Sequence, residues 1–82
     1  MTEKDLIELG FSRTDVTAEE SGADAFYFYE YHFTKYFSLI SCENNEAMIN
    51  GWYVEFFEHE NIKFDNSEDL KQLIELINRA KV

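Results

Sequence analysis

The chain has 82 residues, with 17 Asp and Glu against 7 Lys and Arg for a formal net charge of -10; 45% of its residues are apolar, 17% aromatic, one is cysteine and none is proline. A chain of this length buries only about 60% of its unfolded surface, so residues 1–82 are expected to form a single compact domain whose aromatic side chains supply much of the core. Cys42 alone makes neither an internal disulfide nor a cysteine-based zinc site, no apolar run approaches the roughly 20 residues of a membrane span, and the charged start MTEKDLIELG does not read as a signal peptide. A soluble cytoplasmic protein that does not bind membranes is the expectation.

Thr2 and Asp5 form a capping-box pattern, Leu6, Ile7 and Leu9 follow, and Gly10 stands where a left-handed cap is expected. A helix of about two turns is too short to be stable alone, so Leu6, Leu9 and Phe11 must dock on something larger. Arg13 to Thr17 reads as a weak edge strand, followed by a turn over Ala18 to Gly22. Ala25 to Phe33 is the densest aromatic run. Alternation puts Phe26, Phe28, Glu30 and His32 on one face of a strand and Tyr27, Tyr29, Tyr31 and Phe33 on the other. Phenolic oxygens favour a wet or hydrogen-bonded end, which assigns Phe26 and Phe28 to the core and the tyrosines to the second sheet face.

A turn at Thr34 and Lys35 leads to a strand over Tyr36 to Ser41, which makes a hairpin with the first. Cys42 to Gly51, rich in asparagine, reads as a loop. Trp52 to Phe57 alternates Trp52, Val54 and Phe56 with Tyr53, Glu55 and Phe57, and after a turn at Glu58 to Asn61 a short strand runs over Ile62 to Phe64. Ser67, Glu68 and Asp69 form a helix start, and Leu70, Leu73, Ile74 and Ile77 recur at helical spacing before Arg79 and Lys81 near the negative end of the helix dipole. The predicted fold is therefore α+β: a mainly antiparallel sheet of four to five strands, with a short N-terminal helix and a longer C-terminal helix packed on one face.

The charge is not spread evenly. Residues 1–13 hold three acids against two bases, and residues 63–82 hold four of each. Residues 14–62 hold ten acids against Lys35 alone. Such a field repels the phosphates of nucleic acids and of anionic membranes, so direct nucleic-acid binding is not expected. The acidity reads either as a means of staying soluble or as a docking surface for a basic protein partner, with electrostatic steering of the encounter. The candidate partner surface comprises Asp15, Glu19, Glu20 and Asp24 around the first turn, Glu55, Glu58 and Glu60 near the last hairpin, and the aromatic face of Tyr27, Tyr29 and Tyr31. Aromatic residues are enriched in interfaces, and the tyrosine face would equally suit a homodimer.

Glu55, Glu58, His59, Glu60 and Asp65, with His32 from a neighbouring strand, are metal-ligand types within a short span, and they form the alternative reading of a metal-binding or enzymatic domain. They match no metal motif. Cys42 with His32 or His59 would make a thiolate pair only if base and oxyanion donor were assembled around it. Gly10, Gly22 and Gly51 are isolated and make no phosphate loop. No catalytic, metal or cofactor residue is assigned, and the chain is read as a non-enzyme. Leu9-Gly10-Phe11, Gly51-Trp52-Tyr53-Val54-Glu55, and Ile62-Lys63-Phe64 leading into Leu70-Lys71-Gln72-Leu73-Ile74 together resemble small, uncharacterised acidic proteins of bacteria and their phages. That resemblance implies no catalytic residues, and its phage side implies an inhibitor that mimics nucleic-acid charge as a further alternative.

Overall fold

The computed structural model describes residues 1–82. Helix α1 spans Glu3–Glu8, and its start is the predicted capping box: the Asp5 N–H donates to Thr2 Oγ1 at 3.2 Å and the Thr2 N–H returns to the Asp5 carboxylate at 2.9 Å. These bonds hold the Asp5 carboxyl below its usual range. Gly10, at φ 100°, ends the helix: its N–H donates to the Ile7 carbonyl and that of Phe11 to the Leu6 carbonyl, the paired bonds of a Schellman cap. The cap turns the chain so that Leu6 and Phe11 enter the same core.

Strand β1 (Ser12–Val16) follows, then the four-residue helix α2 (Ala18–Ser21), where a plain turn was expected. Thr17 caps α2, with Glu20 closing the box, and Gly22 supplies the left-handed end. Strand β2 (Phe26–Thr34) and strand β3 (Phe37–Ser41) form the predicted hairpin. Residues 42–51, expected as a loop, contain helix α3 (Asn44–Asn50). Its start has no side-chain cap and none of its residues is buried, so it carries no apolar periodicity to reveal it. Strands β4 (Val54–Phe56) and β5 (His59–Phe64) are joined by Phe57 and Glu58. Helix α4 covers Ser67–Ala80; its cap is Asn66, one residue before the predicted Ser67, with Asn66 Oδ1 accepting from the N–H groups of Glu68 and Asp69.

The strands form one antiparallel sheet in the order β1-β2-β3-β4-β5. In such a meander the connections alternate between ends, so α2 and α3 lie at one end of the sheet and the two tight hairpins at the other. Helices α1 and α4 lie side by side on one face. Their Leu6, Leu70 and Ile74 join Phe11, Tyr29, Phe33, Leu39 and Val54 in the core. Leu6, Leu39, Val54 and Leu70 are fully buried, each a burial that contributes about 1.5–3 kcal/mol.

The tyrosines of β2 belong to this helix-covered layer, which reverses the predicted faces. Tyr29 is 2% exposed, and Tyr27 and Tyr31 pack against the core. Their polar tips find protein partners instead of water: the Tyr27 hydroxyl donates to Glu3 Oε1 at 2.8 Å, and Tyr31 Oη accepts from Asn78 Nδ2 at 2.9 Å. The rings interlock with neighbours, Tyr27 and Tyr29 on Trp52 and Tyr31 between Phe11 and Phe33. Phe26 and Phe28 stack on each other at 6.3 Å on the opposite face, where no helix covers them.

Strand β2 is staggered against its neighbours. Phe26 to Glu30 pair with β1, whereas Glu30 to Thr34 pair with β3. The N–H groups of Tyr27 and Tyr29 therefore outrun the β3 ladder, and side chains accept them: Asn44 Oδ1 at 2.9 Å and Ser41 Oγ at 2.8 Å. The Ser41 hydroxyl donates onward to the Cys42 carbonyl at 2.8 Å.

Two stability predictions follow from these local geometries. Ser41→Ala leaves the Tyr29 N–H buried without its acceptor and is expected to cost about 1–3 kcal/mol, read as a lower urea midpoint at unchanged slope. Glu58 holds φ at 69° in the β4–β5 turn, the only residue other than glycine in that region. Glu58→Gly removes that strain and is expected to stabilise by about 0.5–1 kcal/mol after the entropy cost of glycine, raising the melting temperature by several degrees.

Candidate partner-binding face

The predicted surface residues do not form one patch. Glu19 and Glu20 on α2, and Asp24 after it, lie at the β1 edge on the α2/α3 end of the sheet, whereas Glu58 and Glu60 lie at the hairpin end by the opposite edge strand, β5. Asp15 points to the helix side and is engaged by Arg13, whose Nη2 donates at 2.8 Å while its guanidinium lies 3.6 Å from the Tyr27 ring centroid. Glu20 is occupied in capping α2. Tyr27, Tyr29 and Tyr31 are beneath the helices, so they supply no aromatic docking face. Of the predicted residues, Glu55 lies on the uncovered face of the sheet, opposite Ile40 of β3 and Lys63 of β5, and Glu58 borders the hairpin end of that face, where it lines a depression with Glu30, His32 and Ser38.

That uncovered face follows from the register. Val16 lies opposite Phe26 and Thr14 opposite Phe28; Glu30 lies opposite Ile40, and Ile40 opposite Glu55. Because β3 ends at Ser41 while β2 continues to Phe26, the face steps down at the α3 end. The step is a groove of about 460 Å³ floored by Phe26, Phe28 and Ile40, with Glu43, Glu46 and Glu55 around it. Helix α3 forms a wall, held to β2 by the Asn44–Tyr27 bond. Its Met48 and Ile49 are 85% and 82% exposed.

Glu30 borders the floor from β2, with Oε1 accepting from the Thr14 hydroxyl at 2.9 Å and Oε2 3.4 Å from His32 Nε2. On the other side Lys63 lies 4.4 Å from the Tyr53 ring centroid. Burial, reinforced by the neighbouring Glu46 carboxylate, pushes the Tyr53 phenol far above its ordinary range. The groove is thus apolar at its base and anionic at its rim, with Lys63 as the cation beside it.

The metal-ligand types of the last hairpin do not converge, and no three His, Cys, Asp or Glu side chains come together closely enough to hold a metal ion. Cys42 lies at the α3 end of the sheet, whereas His32 on β2 and His59 at the start of β5 lie toward the hairpin end. Burial raises the Cys42 thiol, and its Sγ approaches the Gly51 carbonyl at 3.8 Å, a contact in keeping with a packed small side chain.

Sequence reasoning passed over Phe26, Phe28, Ile40, Glu30, Glu43 and Glu46. A signal for the open face was nevertheless present: the Phe26 phase of β2 also contains Glu30 and His32, whereas the Tyr27 phase contains no residue charged at neutral pH. The fold and this site define the chain as an α+β domain with a five-stranded antiparallel meander covered on one face by two helices. Compared with protein-family models, with curated proteins and with solved structures, the chain matches none. No helix is long and apolar enough to cross a membrane.

The Tyr53 phenol gives a pH signature of this face. Its proton is held more tightly in the folded chain than in the unfolded one, so above about pH 10, where unfolded tyrosine ionises, the unfolded state loses the proton first. The associated stability is fully present below that pH and is lost as pH rises toward the folded value. Stability is expected to fall as pH rises above about 10, and Tyr53→Phe is expected to flatten that decline in urea midpoint.

Proposed function

We propose that the protein is an interaction domain, without catalytic chemistry of its own, that works in the cytoplasm by binding a basic protein partner on the open face of its sheet. The observation that carries this reading is one sheet face left uncovered, with apolar side chains at its centre and Glu30, Glu43, Glu46 and Glu55 around them. An apolar centre with a charged rim is the usual anatomy of a protein interface, in which the centre supplies affinity and the rim supplies steering and choice of partner. Net charge of -10 raises the encounter rate with cationic partners. The same carboxylates disfavour nucleic acid. They also disfavour a homodimer through this face, because a two-fold contact presents the same patch from both copies.

The test is retention of basic proteins on the immobilised chain as salt is raised. Retention is expected to be strong at about 50 mM salt and largely lost at about 500 mM, where the screening length is a few ångströms. A Glu30→Gln/Glu46→Gln/Glu55→Gln variant is expected to retain less than Glu19→Gln/Glu20→Gln/Asp24→Asn, which removes equal charge away from this face. Retention indifferent to salt and equal in the two variants contradicts the reading.

A further inference from the structure

The groove at the step of the sheet has a shape that selects among basic partners, and here the inference rests on the functional reading above. Its floor is short. Phe26 and Phe28 are two residues apart on β2 with ring centroids at 6.3 Å, and Ile40 lies on the adjacent strand. The 6.3 Å between the rings falls between the about 5–6 Å of i, i+4 side chains on an α-helix at Cβ and the about 6.6–6.8 Å of same-face side chains on an extended peptide, so the floor seats two neighbouring apolar side chains of either and the occupant's backbone decides between them. An extended peptide laid on a sheet face leaves its backbone hydrogen bonds without protein partners. A helix satisfies its own backbone and needs only an apolar floor.

Helix α3 supports one side of such an occupant. Ile49 follows Glu46 by three residues and stands near it along the helix surface. Its exposure of 82% is unexplained by any contact within the chain. Around the floor, Glu30, Glu43, Glu46 and Glu55 come from β2, the approach to α3, α3 itself and β4. Carboxylates around the floor from separate elements favour cations on both flanks of an apolar stripe. A second copy of the chain fails this requirement, since it would bring the same carboxylates to the rim.

We infer that the open groove between β2, β3, β4 and α3 binds a cationic amphipathic α-helix of a partner protein, with two apolar side chains on successive turns seated on Phe26, Phe28 and Ile40 and Lys or Arg side chains flanking them toward the four glutamates. Selection by groove geometry then adds to the charge preference: a basic segment without the helical apolar stripe engages the rim and leaves the floor wet.

The test uses the full chain and fluorescently labelled synthetic peptides of about 14 residues, some four helical turns, read by anisotropy. One peptide places Leu and Lys at helical spacing; a second has the same composition in strict alternation; a third is oligolysine; a fourth is the helical pattern with Glu for Lys. The helical Leu/Lys peptide is expected to bind at least about tenfold more tightly than the other three. Phe28→Ser and Ile40→Ser are each expected to weaken it by at least about fivefold, while Glu19→Gln/Glu20→Gln on α2 changes it little. Because Phe28 and Ile40 lie outside the buried core, unchanged far-UV circular dichroism is expected, and the peptide series on the unaltered chain stands as a test without any variant.

Equal binding of the helical, alternating and oligolysine peptides overturns the helix inference and leaves the basic-partner reading intact. Preferred binding of the alternating peptide also overturns it and points to strand addition at β1 or β5. Binding of the Glu-bearing peptide as tight as that of its Lys counterpart overturns both readings.

Discussion

The stagger of β2 is the constraint on which the remaining architecture depends. A nine-residue strand between two of five residues pairs with β1 along one half and with β3 along the other. Two backbone N–H groups are left facing a gap, and buried donors are not left unpaired in folded proteins. Ser41 and Asn44 meet them, which fixes the direction in which the chain leaves β3 and the place where α3 starts. The groove is the other side of the same arrangement: where β3 stops, Phe26 and Phe28 keep β1 on one side and have no strand on the other. The feature offered for partner binding and the feature that completes the backbone hydrogen bonding thus have one origin.

The helix-covered side is an aromatic lattice more than an aliphatic one. Phe11, Tyr31, Phe33, Phe37, Phe56 and Phe64 form a continuous chain of ring contacts at 5.0–5.8 Å, with Tyr27, Tyr29 and Trp52 as a second cluster. Rings of this kind bury a large area per residue and fix relative orientation, which suits a domain with few fully buried aliphatics. The tyrosine hydroxyls reach the rim of the layer and tie it to Glu3 of α1 and Asn78 of α4. These two bonds orient α1 and α4 on the sheet in addition to the apolar packing of Leu6, Leu70 and Ile74.

Much of this architecture was readable from residue patterns alone. Thr2, Asp5 and Gly10 mark α1, and Leu70, Leu73, Ile74 and Ile77 mark α4, because caps and helical periodicity are local signals. The five strands were legible because alternating β-branched and aromatic runs are likewise local. The face of β2 was marked only by Glu30 and His32 in its Phe26 phase, since both phases are aromatic and the partners that settle it, Glu3 and Asn78, lie 24 and 47 residues away from the tyrosines they bind. Helix α3 escaped notice for a different reason: with no buried side, it has no amphipathic pattern. The candidate surface was misplaced because charge counted along the chain does not tell which end of a meander each turn occupies. Glu19 and Glu58 fall in the same acidic segment and yet stand at opposite ends of the sheet.

Every strand in this sheet pairs only with its neighbours in sequence, and that has a kinetic meaning. Each ladder closes a loop of a few residues, or of one short helix, at small entropic cost, and short closures favour rapid folding. The core cluster that takes Leu6 from α1 and Leu70 from α4 is of another kind. It joins the two ends of the chain, and the sheet between them is the surface that holds both within reach. The ends thereby acquire a shared dependence: fraying of either helix uncovers the same few side chains that the other needs, so the termini of this domain are secured together rather than one at a time.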